Sequence, residues 1–471
     1  MHSLDRLRGG YLSSPRWVQA SGGRLLSIIP PMLLYGRTFR QFQADIDRSR
    51  RDAGFVEQRV ESSLRLLLSR ARTTAYYSEL LAHIDVDSAA ISDLSTLPVL
   101  TRDTVRRQAE HMLTVSKSKL DASMTSGTSQ AFLTVYLDRD RSVKEWAFVT
   151  GVWSRGGYRL GDRRAVLRHG QDDFHDIRSR YWLWEPGTRE LRLSPFRMIP
   201  PVMDEYLDLI RRFRIAYVHG YPSAIALLAA HAGRVNWRVP PTMKGVLPIS
   251  ESLLPHQRSI IRDGFGPVTV QPFYGLSEKV AFAGEVQGSP DEYEFEPLYG
   301  LAEVVDADGN QVAPGQRGRL VGTGFISMGM PLIRYDTGDL ATVVELPSRD
   351  NCWRLRATQL VSAYGQDYLV TVEGGLVPAT SMPTSIRLVR EYQYVQSAAG
   401  LVTVRVIPED GVTLEQLEPI ARTIRSVSDS LVGLVSVDIE IVDEIPTTAR
   451  GKRKFVEQHL DLSAFGSVDE Q

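Results

Sequence analysis

The chain has 471 residues, with 55 Lys plus Arg against 56 Asp plus Glu, 43% hydrophobic residues and one cysteine, Cys352. At about 100–200 residues per domain this length implies two to four domains, and the composition excludes intrinsic disorder and a collagen-like fold. A formal charge of -1 supplies no overall attraction for nucleic acid or anionic lipid, and a lone cysteine forms neither an intrachain disulfide nor a cysteine-based zinc centre, which points to a reducing compartment.

The most apolar early stretch, 25–35, is interrupted by Pro30-Pro31 and falls short of the about 20 apolar residues that a membrane span needs. No unbroken apolar core with a small-residue cleavage site is visible near the start, so a cytoplasmic protein without membrane insertion is expected. Over 53–74 the residues Phe55, Val56, Val60, Leu64, Leu67 and Leu68 recur at helical spacing and predict an amphipathic helix. Leu97-Pro98-Val99-Leu100-Thr101-Arg102-Asp103 ends a loop, with Thr101 able to cap the helix that follows. A strand is expected at 132–137. From 160 to 285, short β-rich runs at 165–167, 216–218, 245–247 and 268–271 alternate with helical patterns at 203–213 and 224–232, which predicts βαβ units and a mainly parallel sheet. From 303 to 346 close-spaced strands, turning at Asp306-Ala307-Asp308-Gly309-Asn310 and Pro314-Gly315, predict an antiparallel section. The last hundred residues read as a small α+β module: strands at 402–407 and 435–442, a helix at 414–431 and a frayed tail at 467–471.

Four stretches carry chemistry. Thr125-Ser126-Gly127-Thr128-Ser129 groups hydroxyls around a glycine, and such a loop can wrap a polyphosphate through hydroxyl and backbone N–H donors. It lacks the Gly-Lys-Ser/Thr ending of a P-loop, and a plain turn is the commoner reading of such residues alone. Tyr274-Gly275-Leu276-Ser277-Glu278 follows the 268–271 run and is expected at the carboxyl end of a parallel strand, where open α/β sheets bind ligands. Gly275 lets a flat ligand approach the backbone and Glu278 offers a hard oxygen to Mg2+; the alternative is a strand-to-helix turn in which Ser277 and Glu278 serve the next helix. In the stretch 330–340, Asp339 follows a glycine turn. There its carboxylate can accept from a pair of ribose hydroxyls, or from its own backbone in an Asx-type turn. Pro446-Thr447-Thr448-Ala449-Arg450-Gly451-Lys452 puts a lysine on a glycine-containing loop, suited to neutralising charge between a carboxylate and an α-phosphate, although a lone Gly-Lys is ordinarily a solvated surface loop. His169, Asp172, Asp173 and His175 could bind a metal or polar substrate, a solvated loop being the commoner outcome.

In this order, and spread over more than 300 residues, the four stretches resemble the adenylate-forming superfamily of acyl-CoA synthetases, peptide-synthetase adenylation domains and luciferases. Leu97-Pro98-Val99-Leu100-Thr101, His219-Gly220-Tyr221-Pro222-Ser223 and the 330–339 stretch look most like its phenylacetate–CoA ligase and capsule-biosynthesis (CapK-like) branch. The resemblance covers nearly the whole chain beyond residue 55. It implies an α/β fold with a large N-terminal adenylation domain (1–366), built of mainly parallel sheets with helices plus an antiparallel section. A small mobile C-terminal α+β domain (367–471) would turn about a hinge at Asp367.

By the same resemblance Thr125, Ser126, Gly127, Thr128 and Ser129 would hold the β- and γ-phosphates of ATP, and Ser250-Glu251 would lie against adenine. Tyr274 and Gly275 would face the base and the acyl group, with Ser277 in the same nucleotide-binding segment. Glu278 would bind Mg2+, Asp339 the ribose, and Lys452 would be the catalytic lysine. His219 and Tyr221, with Gly275, would line the acid pocket, a buried structural His-Tyr pair being the alternative.

The implied activity is ATP-dependent conversion of an aryl or other small carboxylic acid to an acyl-adenylate with release of pyrophosphate. Transfer to the thiol of coenzyme A or a carrier protein, or to another nucleophile, would follow. Alternatives are adenylyl transfer to a hydroxyl acceptor, as in related coenzyme-modifying synthetases, and a non-catalytic adenylate-binding protein. Three departures matter. Gln130 stands in place of a second glycine with no basic residue after it, so phosphate contacts would be fewer or supplied by arginines such as Arg139 and Arg141. Tyr364, in Ala363-Tyr364-Gly365-Gln366-Asp367, replaces the usual hinge arginine. The stretch 284–295 lacks the Cys and His that bind zinc in relatives, so no structural zinc is expected.

Overall fold

The structure, a computed structural model, describes residues 35–125, 133–168, 181–195, 198, 200–250, 253, 255–362, 368–372, 376–378, 389–408, 412, 436–445 and 456–460. They belong to two units, the first drawn from Met1–Thr125, Leu133–Gly161 and Gln271–Ala363, the second from Ser126–Phe132, Asp162–Val270 and Tyr364–Gln471.

In the first unit the expected amphipathic helix forms over Ala53–Ala71 and buries Val56, Val60, Leu64, Leu67 and Leu68. Asp52 caps it, its Oδ1 accepting from the N–H of Phe55 at 2.9 Å. It ends three residues before the expected 74 because the Thr73 and Thr74 hydroxyls take the carbonyls of Arg70 and Ala71, at 2.7 and 2.8 Å. Thr101 caps the helix Arg102–Gln108 as expected, accepting from the N–H of Thr104 at 3.2 Å. The antiparallel section is a seven-stranded sheet in the order Gly300–Val305, Arg317–Gly324, Tyr335–Glu345, Arg356–Ser362, Ser289–Phe295, Phe282–Val286, Phe273–Gly275.

The helix Arg141–Arg155 lies on this sheet and buries Phe148 and Val152, with the Phe148 ring 5.2 Å from that of Tyr299. Gly284 permits the contact, since a Cβ there would sit 2.6 Å from a Val152 methyl. At one end of the sheet Glu296, 1% exposed, gathers three arginines. Its Oε1 accepts from Arg50 at 2.7 Å and Arg155 at 2.6 Å, and its Oε2 from Arg354 at 3.3 Å. Arg354 also donates to the carbonyl of Ser49 at 2.9 Å, at the end of the helix Gly36–Ser49. Burial alone would raise the Glu296 pKa, but Arg354, Arg155 and Arg50 together hold it below the ordinary carboxylate value.

In the second unit the parallel sheet forms as expected. Its order is Trp182–Glu185, Glu190–Leu193, Arg164–Leu167, Tyr217–Gly220, Gly245–Pro248, Thr269–Val270, and only the first pair is antiparallel. Helices Pro200–Arg212 and Pro222–Arg234 bury Met203, Tyr206, Ile210, Ile225 and Leu228 in its core. The same unit holds a four-stranded sheet in the order Ser436–Ile441, Leu401–Pro408, Val389–Ala398, Val456–Gln458, where the expected strands at 402–407 and 435–442 run parallel. The helix expected at 414–431, the tail at 467–471 and the domain boundary at 366/367 lie outside the described residues. Among the described residues no helix is long and apolar enough to cross a membrane.

Replacing Glu296 by Gln should leave three guanidinium groups around a neutral amide and destabilise the first unit by about 3–5 kcal/mol. Because the folded pKa is depressed, the carboxylate's contribution is complete above its unfolded pKa and is lost as pH falls through the folded value. The difference between wild type and Glu296→Gln in urea unfolding should therefore be largest near pH 7 and shrink on acidification. Equal stability at pH 7 would remove the cluster as an anchor.

Candidate functional site

The site in the first unit is built where two stretches of sequence meet on one sheet. Pro272 has no N–H to give a ladder, so the parallel pairing of Thr269–Val270 ends there and a new strand, Phe273–Gly275, starts. It pairs antiparallel with Phe282–Val286, Tyr274 opposite Ala283. The stretch follows the carboxyl end of a parallel strand as expected, and Tyr274 and Gly275 themselves lie on a short antiparallel strand beyond it. This arrangement removes the helix-start reading of Ser277 and Glu278, because the next element is the strand Phe282–Val286. Gly275 and Ser277 are exposed.

Across the sheet, the strand Tyr335–Glu345 shifts register against its neighbour between Arg319 and Val321, bulging residues 337–339. Bulges re-aim side chains, and this one aims Asp339 at Tyr274. The Tyr274 hydroxyl donates to Asp339 Oδ2 at 2.6 Å. The Asx-type turn in this stretch belongs to Asp336, whose Oδ1 accepts from the N–H of Gly338 at 3.0 Å, with Gly338 at a φ of 78°. The Asp339 N–H instead reaches the Thr337 hydroxyl at 3.1 Å.

Beside this pair lies Glu278, 6% exposed. Its Oε1 accepts from the Tyr335 hydroxyl at 3.1 Å and is 4.0 Å from Arg102 Nη1. Burial raises the Glu278 pKa, opposed chiefly by Arg102. Burial likewise raises both phenols, reinforced at Tyr274 by Asp339 and at Tyr335 by Glu278, so each remains a protonated donor at neutral pH.

Arg102 owes its place to backbone lacing. The N–H of Leu100 donates to the carbonyl of Arg334 and that of Asp336 to the carbonyl of Leu100, both at 2.9 Å. The buried Arg334 guanidinium donates to the carbonyls of Leu97 at 2.6 Å and Gly309 at 2.7 Å. Arg102 and Tyr335 had no assigned role in the sequence reading. A signal existed for Tyr335, since Tyr335, Thr337 and Asp339 alternate along one strand; none existed for the pairing of Arg102 with Glu278.

The donor set fits a divalent cation with hard-oxygen preference: Glu278 is a buried carboxylate whose charge is countered only loosely by a guanidinium 4.0 Å away. Asp339 and Tyr274 offer a carboxylate and an aromatic wall, which suits a ribose and a base.

No protein-family profile matches the sequence. The chain is similar to Protein CapK of Staphylococcus aureus, at 22% identity over 395 residues, covering 82% of this chain and 85% of that protein. Among solved structures it is similar to 2-hydroxyisobutyryl-CoA ligase in complex with 2-HIB-AMP and CoA in the thioesterification state, with a TM-score of 0.54 and 18% identity, covering 88% of this chain and 92% of that one. The structural match carries the fold, and the similarity to CapK extends over most of both chains. The chain has the fold of an adenylate-forming ligase and is similar in sequence to CapK.

Other expected site residues fall elsewhere. Thr125 ends a strand, Leu120–Thr125, that pairs antiparallel with Leu133–Asp138; Ser126, Gly127, Thr128, Ser129 and Gln130 lie outside the described residues, as do Glu251, Tyr364, Asp367, Lys452 and the His169 to His175 cluster. Arg139 and Arg141 do not stand ready for phosphate: both turn to Asp121, at 3.7 and 2.6 Å. In the second unit Ser250 follows the strand Gly245–Pro248 with a φ of 71°, a left-handed conformation that costs a non-glycine residue about 1 kcal/mol or more. His219 is buried on Tyr217–Gly220 with Nδ1 2.9 Å from the Leu247 carbonyl. Burial, then Arg168 and Arg164, push its pKa well down, so it is a neutral imidazole. Tyr221 is half-buried at the start of Pro222–Arg234. Over 284–295 the chain is a hairpin whose Glu285 accepts from the N–H of Asp291 at 2.9 Å. Among the described residues no three His, Cys, Asp or Glu could share a metal ion.

A buried carboxylate held against its desolvation cost is a stability liability. With its folded pKa raised, Glu278 stabilises the fold when protonated and loses that contribution as pH rises through the folded pKa. Glu278→Gln, which keeps an acceptor for Tyr335, should therefore leave the ligand-free protein at pH 7 as stable as wild type or up to about 1 kcal/mol more stable. A thermal melt showing clear destabilisation at pH 7 would contradict this.

Proposed function

We propose that the protein activates a carboxylic acid with ATP. The acid's carboxylate oxygen attacks the α-phosphorus, the bond from that phosphorus to the bridging oxygen of the β-phosphate breaks, and an acyl-adenylate and pyrophosphate result. The observation that carries this reading is the hydrogen bond between Tyr274 and Asp339, beside buried Glu278, on an adenylate-forming fold. In this reading Asp339 accepts from the ribose hydroxyls, Tyr274 and Gly275 form a wall for base and acyl group, and Ser250-Glu251 lies against adenine. Thr125 to Ser129 hold the outer phosphates, and Glu278 is the residue that would hold Mg2+. When bound, that ion counters phosphate charge. Lys452 neutralises the charge that grows between carboxylate and α-phosphate as they approach.

In the second half-reaction a nucleophile adds to the acyl carbon and AMP leaves, its phosphate taking the electron pair of the broken acyl–oxygen bond. We assign coenzyme A or a carrier-protein thiol as the acceptor, supported by the fold shared with a ligase whose structure holds 2-HIB-AMP and CoA. Rotation of the C-terminal domain about Asp367 would separate the two steps. An aryl or other small acid is the proposed substrate, with His219 and Tyr221 as proposed lining for its pocket.

Pyrophosphate release screened against aryl, short aliphatic and amino acids should single out one class. Lys452→Ala should lower acid-dependent ATP–pyrophosphate exchange by about 100-fold or more while leaving ATP binding within a few-fold. Exchange at the wild-type rate in that variant would remove the lysine's role. A stable adenylylated product, with no free AMP formed, would replace acyl transfer by adenylyl transfer.

A further inference from the structure

The short bond between Tyr274 and Asp339 joins two groups that the proposed function sets against the same nucleotide. At 2.6 Å from hydroxyl oxygen to Oδ2 it has the length of a charge-assisted O–H···O⁻ bond. The Tyr274 ring is itself fixed, edge-on to Phe295 with centroids 5.8 Å apart. Thr337 ties the carboxylate's own backbone: its hydroxyl donates to the carbonyl of Leu320 at 2.8 Å and accepts from the N–H of Asp339 at 3.1 Å. Asp339 is thus held at main chain and side chain although it sits on a bulge, where the ladder gives least support.

We propose that the Tyr274 hydroxyl is a positioning group for ribose recognition. It fixes the rotamer of Asp339, so that the carboxylate is aimed at the 2′- and 3′-hydroxyls of the nucleotide. Pre-orientation spares the rotamer entropy that binding would otherwise cost. The hydroxyl itself makes no bond to substrate; the ring's role as a wall is separate and survives in phenylalanine. The proposal rests on the ribose role given above to Asp339.

Calorimetric titration of the full chain with ATP and with 2′,3′-dideoxy-ATP, both with Mg2+, tests it. Wild type should bind ATP about tenfold or more tightly than the dideoxy analogue, and Tyr274→Phe should weaken ATP about tenfold but the analogue by less than about twofold. Added to Asp339→Asn, Tyr274→Phe should cost nothing further. Retained binding of the analogue shows that the variant is folded. Equal weakening of both nucleotides, or no weakening of either, would overturn the positioning role and leave Asp339's ribose contact standing. A wild type that binds both nucleotides alike would overturn that contact and the proposal with it.

Discussion

The first unit depends on one buried carboxylate. Glu296 binds Arg50 from the end of one helix, Arg155 from the end of another and Arg354 from the approach to a strand. Its N–H also donates to the carbonyl of Phe282, and its carbonyl accepts from the N–H of Tyr299, at 2.9 and 3.0 Å. An ion cluster this buried does not add much to stability over a well-packed apolar substitute, but it tolerates few arrangements. Three planar forks must converge on two oxygens. That fixes where both helices meet the sheet, a choice that hydrophobic burial, which has no direction, would leave loose.

The candidate site inherits this order. Phe282 starts the strand that pairs with Tyr274, and the turn between them carries Glu278. Lys279, next to Glu278, is tied to Glu145 on the Arg141–Arg155 helix at 2.8 Å, and Tyr299 reaches the same carboxylate oxygen at 3.4 Å. The helix that Glu296 anchors at one end therefore holds the Glu278 turn from its other. The two acidic groups of the site meet opposite fates within this frame. Asp339 accepts a short phenolic bond, whereas burial raises the Glu278 pKa, opposed chiefly by Arg102 at 4.0 Å. The proposed cation at Glu278 and ribose hydroxyls at Asp339 would suit this asymmetry.

How much of this was legible follows from the range of the interactions. The helix Ala53–Ala71, the Thr101 cap and the parallel sheet are consequences of local pattern, so periodicity and capping chemistry reach them. The edge strand Phe273–Gly275 was not foreseen: it is three residues long, and Pro272, which has no donor to give, sets it off from Thr269–Val270. The strand Leu120–Thr125 and the hairpin of Trp182–Glu185 with Glu190–Leu193 were not foreseen. They are four to six residues long, and the hairpin's Trp184 is explained by stacking on Phe213, with centroids 4.7 Å apart, rather than by anything near it in sequence. The order of the four chemical stretches was readable; the convergence of Arg102 and Tyr335 on Glu278 was not, because it depends on the bridge between Leu100 and Tyr335, far apart in sequence.

Composition holds a last point. Only seven of the 55 cations are lysines, and the described residues show what the arginines do. Arg334 serves Leu97, Gly309 and Glu303; Arg319 serves Asp336 and the carbonyls of Asp306 and Ala307; Arg354 serves Ser49 and Glu296. Each is a fork spread over carbonyls and a carboxylate from separate segments, a task that needs several donors in fixed directions and that a single ammonium cannot perform. The lysines make simpler contacts, such as Lys117 to Glu110 and Lys279 to Glu145. The excess of arginine is therefore a property of the scaffold, in which long connections are stapled by guanidinium groups. It carries no information about a polyanionic partner, which is why a near-zero net charge is compatible with a fold so dependent on charge.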